Sequence, residues 1–210
     1  MNNYEKKGIE FFAKIHDLVR NEDLTTKDSL FEVLDHIRLK DGYHLGLKLA
    51  EKKGMGDDSW FYTYKGEDPL KNGTADIEML REKRKYIYDD LIVEQTNMGA
   101  WQTYLLFMSP SVLPLWWHAN YMGRIYFFDR DNFKGIFPFC CDPVPLKIQD
   151  IPHPSVTKRN GHFFVRCPNW NDWEGLVRDS LNVSFDEYGN ISINDFKRKV
   201  LYEFHSGVCF

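Results

Sequence analysis

The stretch Tyr43-His44-Leu45-Gly46-Leu47-Lys48-Leu49-Ala50, followed by Trp60-Phe61-Tyr62-Thr63-Tyr64, decides the fold class. Leu45, Leu47 and Leu49 alternate with His44, Gly46 and Lys48, a period of two that defines a strand with one wet face. The aromatic run that follows has strong strand preference. Gly54-Met55-Gly56-Asp57-Asp58 between them reads as a turn, so the pair forms a hairpin with a long loop.

Upstream the period is helical. Ile9, Phe12, Ile15 and Val19 predict a first helix over about residues 3–20. Thr26 or a neighbour can cap a second, with Leu30, Val33, Leu34 and Ile37 as its apolar stripe and Gly42 as its stop. Downstream of the hairpin, Thr74 suits an N-cap, and Ile77, Leu80, Ile87 and Leu91 mark a helix to about residue 92. Asn97 can cap another, with Met98, Trp101, Leu105 and Met108 inward, stopped at Ser109-Pro110.

Beyond residue 110 strand signals take over. Arg124 to Phe128 and Phe133 to Phe139 read as strands around the turn Asp129-Arg130-Asp131-Asn132, and His162 to Arg166 reads as another. Asn171 to Glu174 can start a short helix to Ser180, and Val183 to Phe185 and Lys199 to Phe204 are strands around Tyr188-Gly189-Asn190. The prolines at 138, 143, 145, 152 and 154 force an extended connection. The expectation is an α+β fold, a helix-rich N-terminal half packed on a mainly antiparallel sheet formed largely by the C-terminal half. It forms one domain over 1–210, with a helical and hairpin part at 1–108 and an aromatic-rich sheet part at 109–210. No linker composition divides the two parts.

Composition narrows the function classes. Of 210 residues, 43% are hydrophobic and 28% charged, as in ordinary globular proteins. The net charge is −4, and the densest basic stretch, Arg81 to Lys85, is interrupted by Glu82. Counterion release therefore offers little affinity for nucleic acid, and none is expected as a partner. No run approaches the roughly 20 apolar residues of a membrane span, and Met1 to Ile9 lacks the apolar core of an export signal. Asn-X-Ser/Thr patterns at Asn72, Asn182 and Asn190 then carry no weight. Four cysteines (140, 141, 167 and 209) suit free thiols in a reducing, cytoplasmic setting.

Aromatic residues are 16% of the chain, and 22 of the 33 lie beyond residue 100. Trp116-Trp117-His118-Ala119-Asn120-Tyr121 sets an ionisable histidine beside two indoles. Adjacent indoles on a strand point to opposite faces, so one can line a groove. His118 has the pKa range of a general base, and Asp129 or Asp131 could orient it. Packing of both rings in a core, with His118 on the surface, explains the same residues.

Other constellations are weaker. His162 with Cys167 and His205 with Cys209 have zinc-ligand chemistry, but on a strand the first pair faces opposite sides. The second pair would sit roughly 13 Å apart, too far for one ion. Cys140 and Cys141 lie between Phe139 and Asp142, which gives no help to a thiolate. Asp186 to Asp195 resembles half a calcium loop but lacks the closing glutamate, and a hairpin turn accounts for it. Asp57-Asp58, Asp89-Asp90 and Glu94 could hold magnesium or simply face water. No phosphate-binding glycine loop is present, so neither a metal nor a cofactor is expected.

The composite expectation is a cytoplasmic, non-catalytic protein-binding or regulatory protein, for example a toxin-neutralising one. Its binding residues would be Trp116, Trp117, Tyr121, Trp170 and Trp173, set in an acidic surface that suits a basic protein partner. The enzyme alternative is a small hydrolase with a pocket around Trp116 to His118, using His118 and Asp129. A pocket for a small-molecule ligand without chemistry is the third possibility.

Overall fold

In a computed structural model, residues 1–20, 27–50, 58–74, 76–113, 125–126, 150–171 and 174–203 are described. The fold is α+β, with helices in the N-terminal half and antiparallel sheets that are mostly C-terminal.

Helix α1 (Asn3–Arg20) forms where the first periodicity predicts it. Its buried apolar side chains are Phe11, Ile15 and Leu18, while Ile9, Phe12 and Val19 flank them, half-buried. A box at its start fixes the first turn: the Glu5 amide donates to Asn2 Oδ1 at 2.9 Å and the Asn2 amide donates to Glu5 Oε2 at 2.8 Å.

The expected second helix is not formed. Lys27–Glu32 is a 3₁₀ turn, and Ile37–Leu39 is strand β1. Leu30, Leu34 and Ile37 are buried as the stripe requires, but tertiary bonds set the backbone. Asp28 Oδ1 accepts the Leu45 amide at 2.6 Å, and Ile37 pairs with Val93. A short buried segment between two anchors cannot complete the turns of an α-helix.

The hairpin is present as β2 (Tyr43–Lys48) and β3 (Trp60–Lys65), antiparallel, with Gly46 opposite Tyr62. The long helix expected to residue 92 is shorter: α2 (Ile77–Lys83), a 3₁₀ segment (Arg84–Asp90), then strand β4 (Leu91–Val93) paired with β1. Leu80, Ile87 and Leu91 are buried, but Ile77 is exposed.

Helix α3 (Asn97–Met108) is the axis of the core. Thr96, not Asn97, is its N-cap, with Oγ1 accepting the Gly99 amide at 3.0 Å. Nearly every residue from Gly99 to Met108 is buried, the behaviour of a helix enclosed on all sides. The sequence stop at Ser109-Pro110 becomes a 3₁₀ turn over Ser109–Ser111.

A five-stranded antiparallel sheet closes the other side. Strand β7 (His162–Asn171) has β8 (Gly175–Phe185) on one edge. Its other edge carries β6 (Ser155–Arg159) near its start and β5 (Ile125–Tyr126) near its end. Strand β9 (Ile191–Tyr202) pairs with β8. Phe163, Val165 and Cys167 on β7 and Leu181 and Val183 on β8 share one face and join α1 and α3 in one hydrophobic cluster. The short helix expected up to Ser180 is instead the first half of β8. Gly175, at φ +80°, lies where β8 begins. The turn at Gly54 to Asp57 and the strand at 133–139 lie outside the described residues.

Candidate binding groove

Among the described residues lies a groove of about 640 Å³, within the size range of ligand clefts. Four separate segments build it. Strand β3 supplies Trp60 and Phe61, both buried, and the 3₁₀ segment supplies Ile87 and Tyr88. The end of α3 adds Leu106 and Phe107, followed by Ser109 and Pro110. Strand β9 contributes Ile191 and Ile193.

Its surface is apolar but not uniformly closed. Phe107, Tyr88 and Ile193 are half-buried and Pro110 is exposed, so these four offer contact area. Phe107 is held by Phe196, with ring centroids 5.2 Å apart. Burial raises the Tyr88 phenol pKa, so its hydroxyl stays protonated and able to donate. The groove's charged lining is acidic, Asp58 and Asp89. Asp58 lies 3.8 Å from Arg81, and Lys40 Nζ donates to the Asp89 backbone carbonyl at 2.7 Å. The Trp60 indole N–H is buried and has no acceptor among the described residues. By contrast, Trp101 donates its indole N–H to the Tyr4 carbonyl at 3.0 Å.

Two polar clusters lie elsewhere. His36 Nδ1 is 2.6 Å from Glu94 Oε2 and 3.3 Å from Thr96 Oγ1, beside a concavity of about 320 Å³ that reaches Tyr188. A carboxylate on one ring nitrogen orients an imidazole, the first requirement of an acid–base pair. The hydroxyl beside it, Thr96 Oγ1, meets the same ring nitrogen as the carboxylate and accepts the Gly99 amide as the α3 N-cap. The second cluster is buried under the sheet. Asp179 accepts from Asn169 Nδ2 at 2.8 Å, Tyr104 Oη at 3.2 Å and Arg198 Nε at 2.7 Å. Burial pushes the Tyr104 phenol well above its ordinary pKa, so it is a neutral donor to that carboxylate. This network satisfies a buried charge and needs no ligand to do so.

Trp116, Trp117, His118, Tyr121, Asp129 and Trp173 lie outside the described residues, as do Cys140, Cys141, His205 and Cys209. Trp170 is described, and its place corrects the expectation of a binding ring: it is fully buried, between Ile125 of β5 and Leu176 of β8 in the ladder. His162 and Cys167 are not brought together. Cys167 is buried opposite Asp179, and His162 Nδ1 lies 3.2 Å from Asn182 Oδ1. Among the described residues no group of three or more His, Cys, Asp or Glu side chains could hold a metal ion. Asp186 accepts the Tyr188 and Asn190 amides, each at 2.9 Å, which makes the 186–190 segment a side-chain-stapled turn. Asp90 accepts the Thr63 hydroxyl, and Glu94, past β4, pairs with His36.

No described helix is long and apolar enough to cross a membrane. Compared with protein-family models, with curated proteins and with solved structures, the chain matches none.

Proposed function

We propose that this chain is a non-catalytic, cytoplasmic binding protein that grips a protein partner through the groove between β3, α3 and β9. The single observation behind this reading is the groove itself. Half-buried Phe107, Tyr88 and Ile193 stand over a floor of buried rings, the combination of rigid aromatic area and partial exposure that marks interface hot spots. The surplus of aromatic residues motivates the reading at the level of composition, and the half-buried rings of the groove support it. A regulatory role such as toxin neutralisation is one form of it.

The test is site-specific photo-crosslinking in the source cell. Benzoylphenylalanine at position 107 should give one dominant protein adduct. The same group at Thr157, exposed on β6, should give none of it. Equal labelling at both positions would remove the groove as the binding face.

A further inference from the structure

The groove carries a charge pattern as well as an apolar floor. Resting on the reading above, we infer that its occupant is a cationic apolar peptide segment, whose hydrophobic side chains seat on Phe107, Tyr88 and Ile193 while its lysine or arginine side chains meet Asp89 and Asp58.

The argument is electrostatic. Both charged residues of the lining are carboxylates, on a chain whose net charge is −4. Asp58 pairs with Arg81 at 3.8 Å, with both side chains about one-third exposed, so Asp89 is the principal anchor for a cation. The Lys40 ammonium is held by the Asp89 main-chain carbonyl, and the Asp89 carboxylate itself pairs with no cation among the described residues. An apolar segment flanked by carboxylates of its own would place like charges at this rim, and one flanked by cations would complement it. A second copy of this chain brings the same acidic rim to the interface and fits less well.

Two labelled 14-residue peptides test this, with identical leucine and phenylalanine positions and either lysine or glutamate at every other position. Fluorescence anisotropy should show the lysine peptide binding at least about tenfold more tightly than the glutamate peptide, with the gap narrowing as salt rises. Asp58→Asn and Asp89→Asn should each weaken the lysine peptide about two- to fivefold, the range for exposed pairs. Phe107→Ala should weaken it more than about tenfold, and the Trp60 indole N–H resonance should move only where binding is retained. Each variant is compared at equal folded fraction, measured by circular dichroism. If both peptides bind equally and both need Phe107, the charge inference is wrong and the groove reading stands. If the lysine peptide binds as well to Phe107→Ala and leaves the Trp60 resonance unmoved, it sits elsewhere and both readings fall.

Discussion

Arg198 reaches across from β9 to β8 and donates its Nε hydrogen to Asp179 Oδ1 at 2.7 Å, and the carboxylate it meets is completely buried. Asn169 and Tyr104 fill the other oxygen, so the charge is paired and its acceptor sites are occupied. Removing one partner of a buried pair costs more than the pair contributes, because the other charge is stranded. Arg198→Leu is therefore expected to lose about 3–5 kcal/mol in urea unfolding. Adding Asp179→Asn to Arg198→Leu should recover part of that loss, since an amide needs no counter-charge. A double variant less stable than Arg198→Leu alone would contradict this.

The same aspartate explains where sequence reading failed. Along β8, Val177, Leu181 and Val183 point inward at period two, with Asp179 as the polar member of that row. A charged residue at an inward position breaks the alternation, and Asn171 to Ser180 then resembles a capped helix start. The first helix and the 43–64 hairpin were legible because their patterns are local and complete. The segment after Lys27 was not, since the bonds that shape it run from Asp28 to Leu45 and from Ile37 to Val93. The groove was illegible for a related reason. Its walls come from residues 58–61, 87–89, 106–110 and 191–193, and no spacing within one segment announces a surface shared by four. Trp170 shows the converse limit: an aromatic count cannot separate a ring that fills the core from one that faces a partner.

Gly46 faces Tyr62 across the hairpin, and a Cβ at position 46 would lie 2.1 Å from the ring's Cζ. Tyr62 is fixed there, edge-on to Trp60 at 5.7 Å and with its hydroxyl donating to Asp68 at 2.6 Å. Gly46→Ala should destabilise by about 1–3 kcal/mol, as overpacking does. Tyr62→Ala should cost about 3–5 kcal/mol through its cavity. Together they should cost clearly less than their sum, because the truncated ring makes room for the new methyl. Strict additivity in a double-mutant cycle would show that the ring and Gly46 are independent.

Asp35 links α1 to α3. Burial opposes its ionisation, but the Gln102 side-chain amide and Lys7, 3.3 Å away, outweigh that and hold its pKa below the usual carboxylate range. A depressed folded-state pKa adds stability that is fully present above the unfolded value of about 3.9 and is lost as pH falls through the folded value. Asp35→Asn keeps the oxygen but not the charge. The variant should be less stable than the parent near neutral pH, by a small amount given solvent screening, and the gap should close in acid. Urea midpoints for both proteins across the acid range measure it. A gap that persists below the folded-state pKa would assign the effect to packing instead of ionisation.

Gly189 and Gly66 both hold positive φ, +81° and +74°, but only one is crowded. A Cβ on Gly66 meets nothing within 4 Å, whereas on Gly189 it would lie 2.7 Å from the Val93 carbonyl oxygen. The Gly189 carbonyl in turn accepts the Val93 amide at 3.0 Å, the bond that docks the β8–β9 turn on β4. Gly66→Ala should therefore show the left-handed backbone penalty alone, about 1–2 kcal/mol. Gly189→Ala carries that penalty and a backbone clash that no rotamer change relieves, so it must either cost more or release the turn. Release would appear as faster hydrogen exchange at the Val93 amide, with β7 and β8 amides unchanged. Equal losses of stability for the two variants, with Val93 exchange unaltered, would mean that the turn does not depend on this contact.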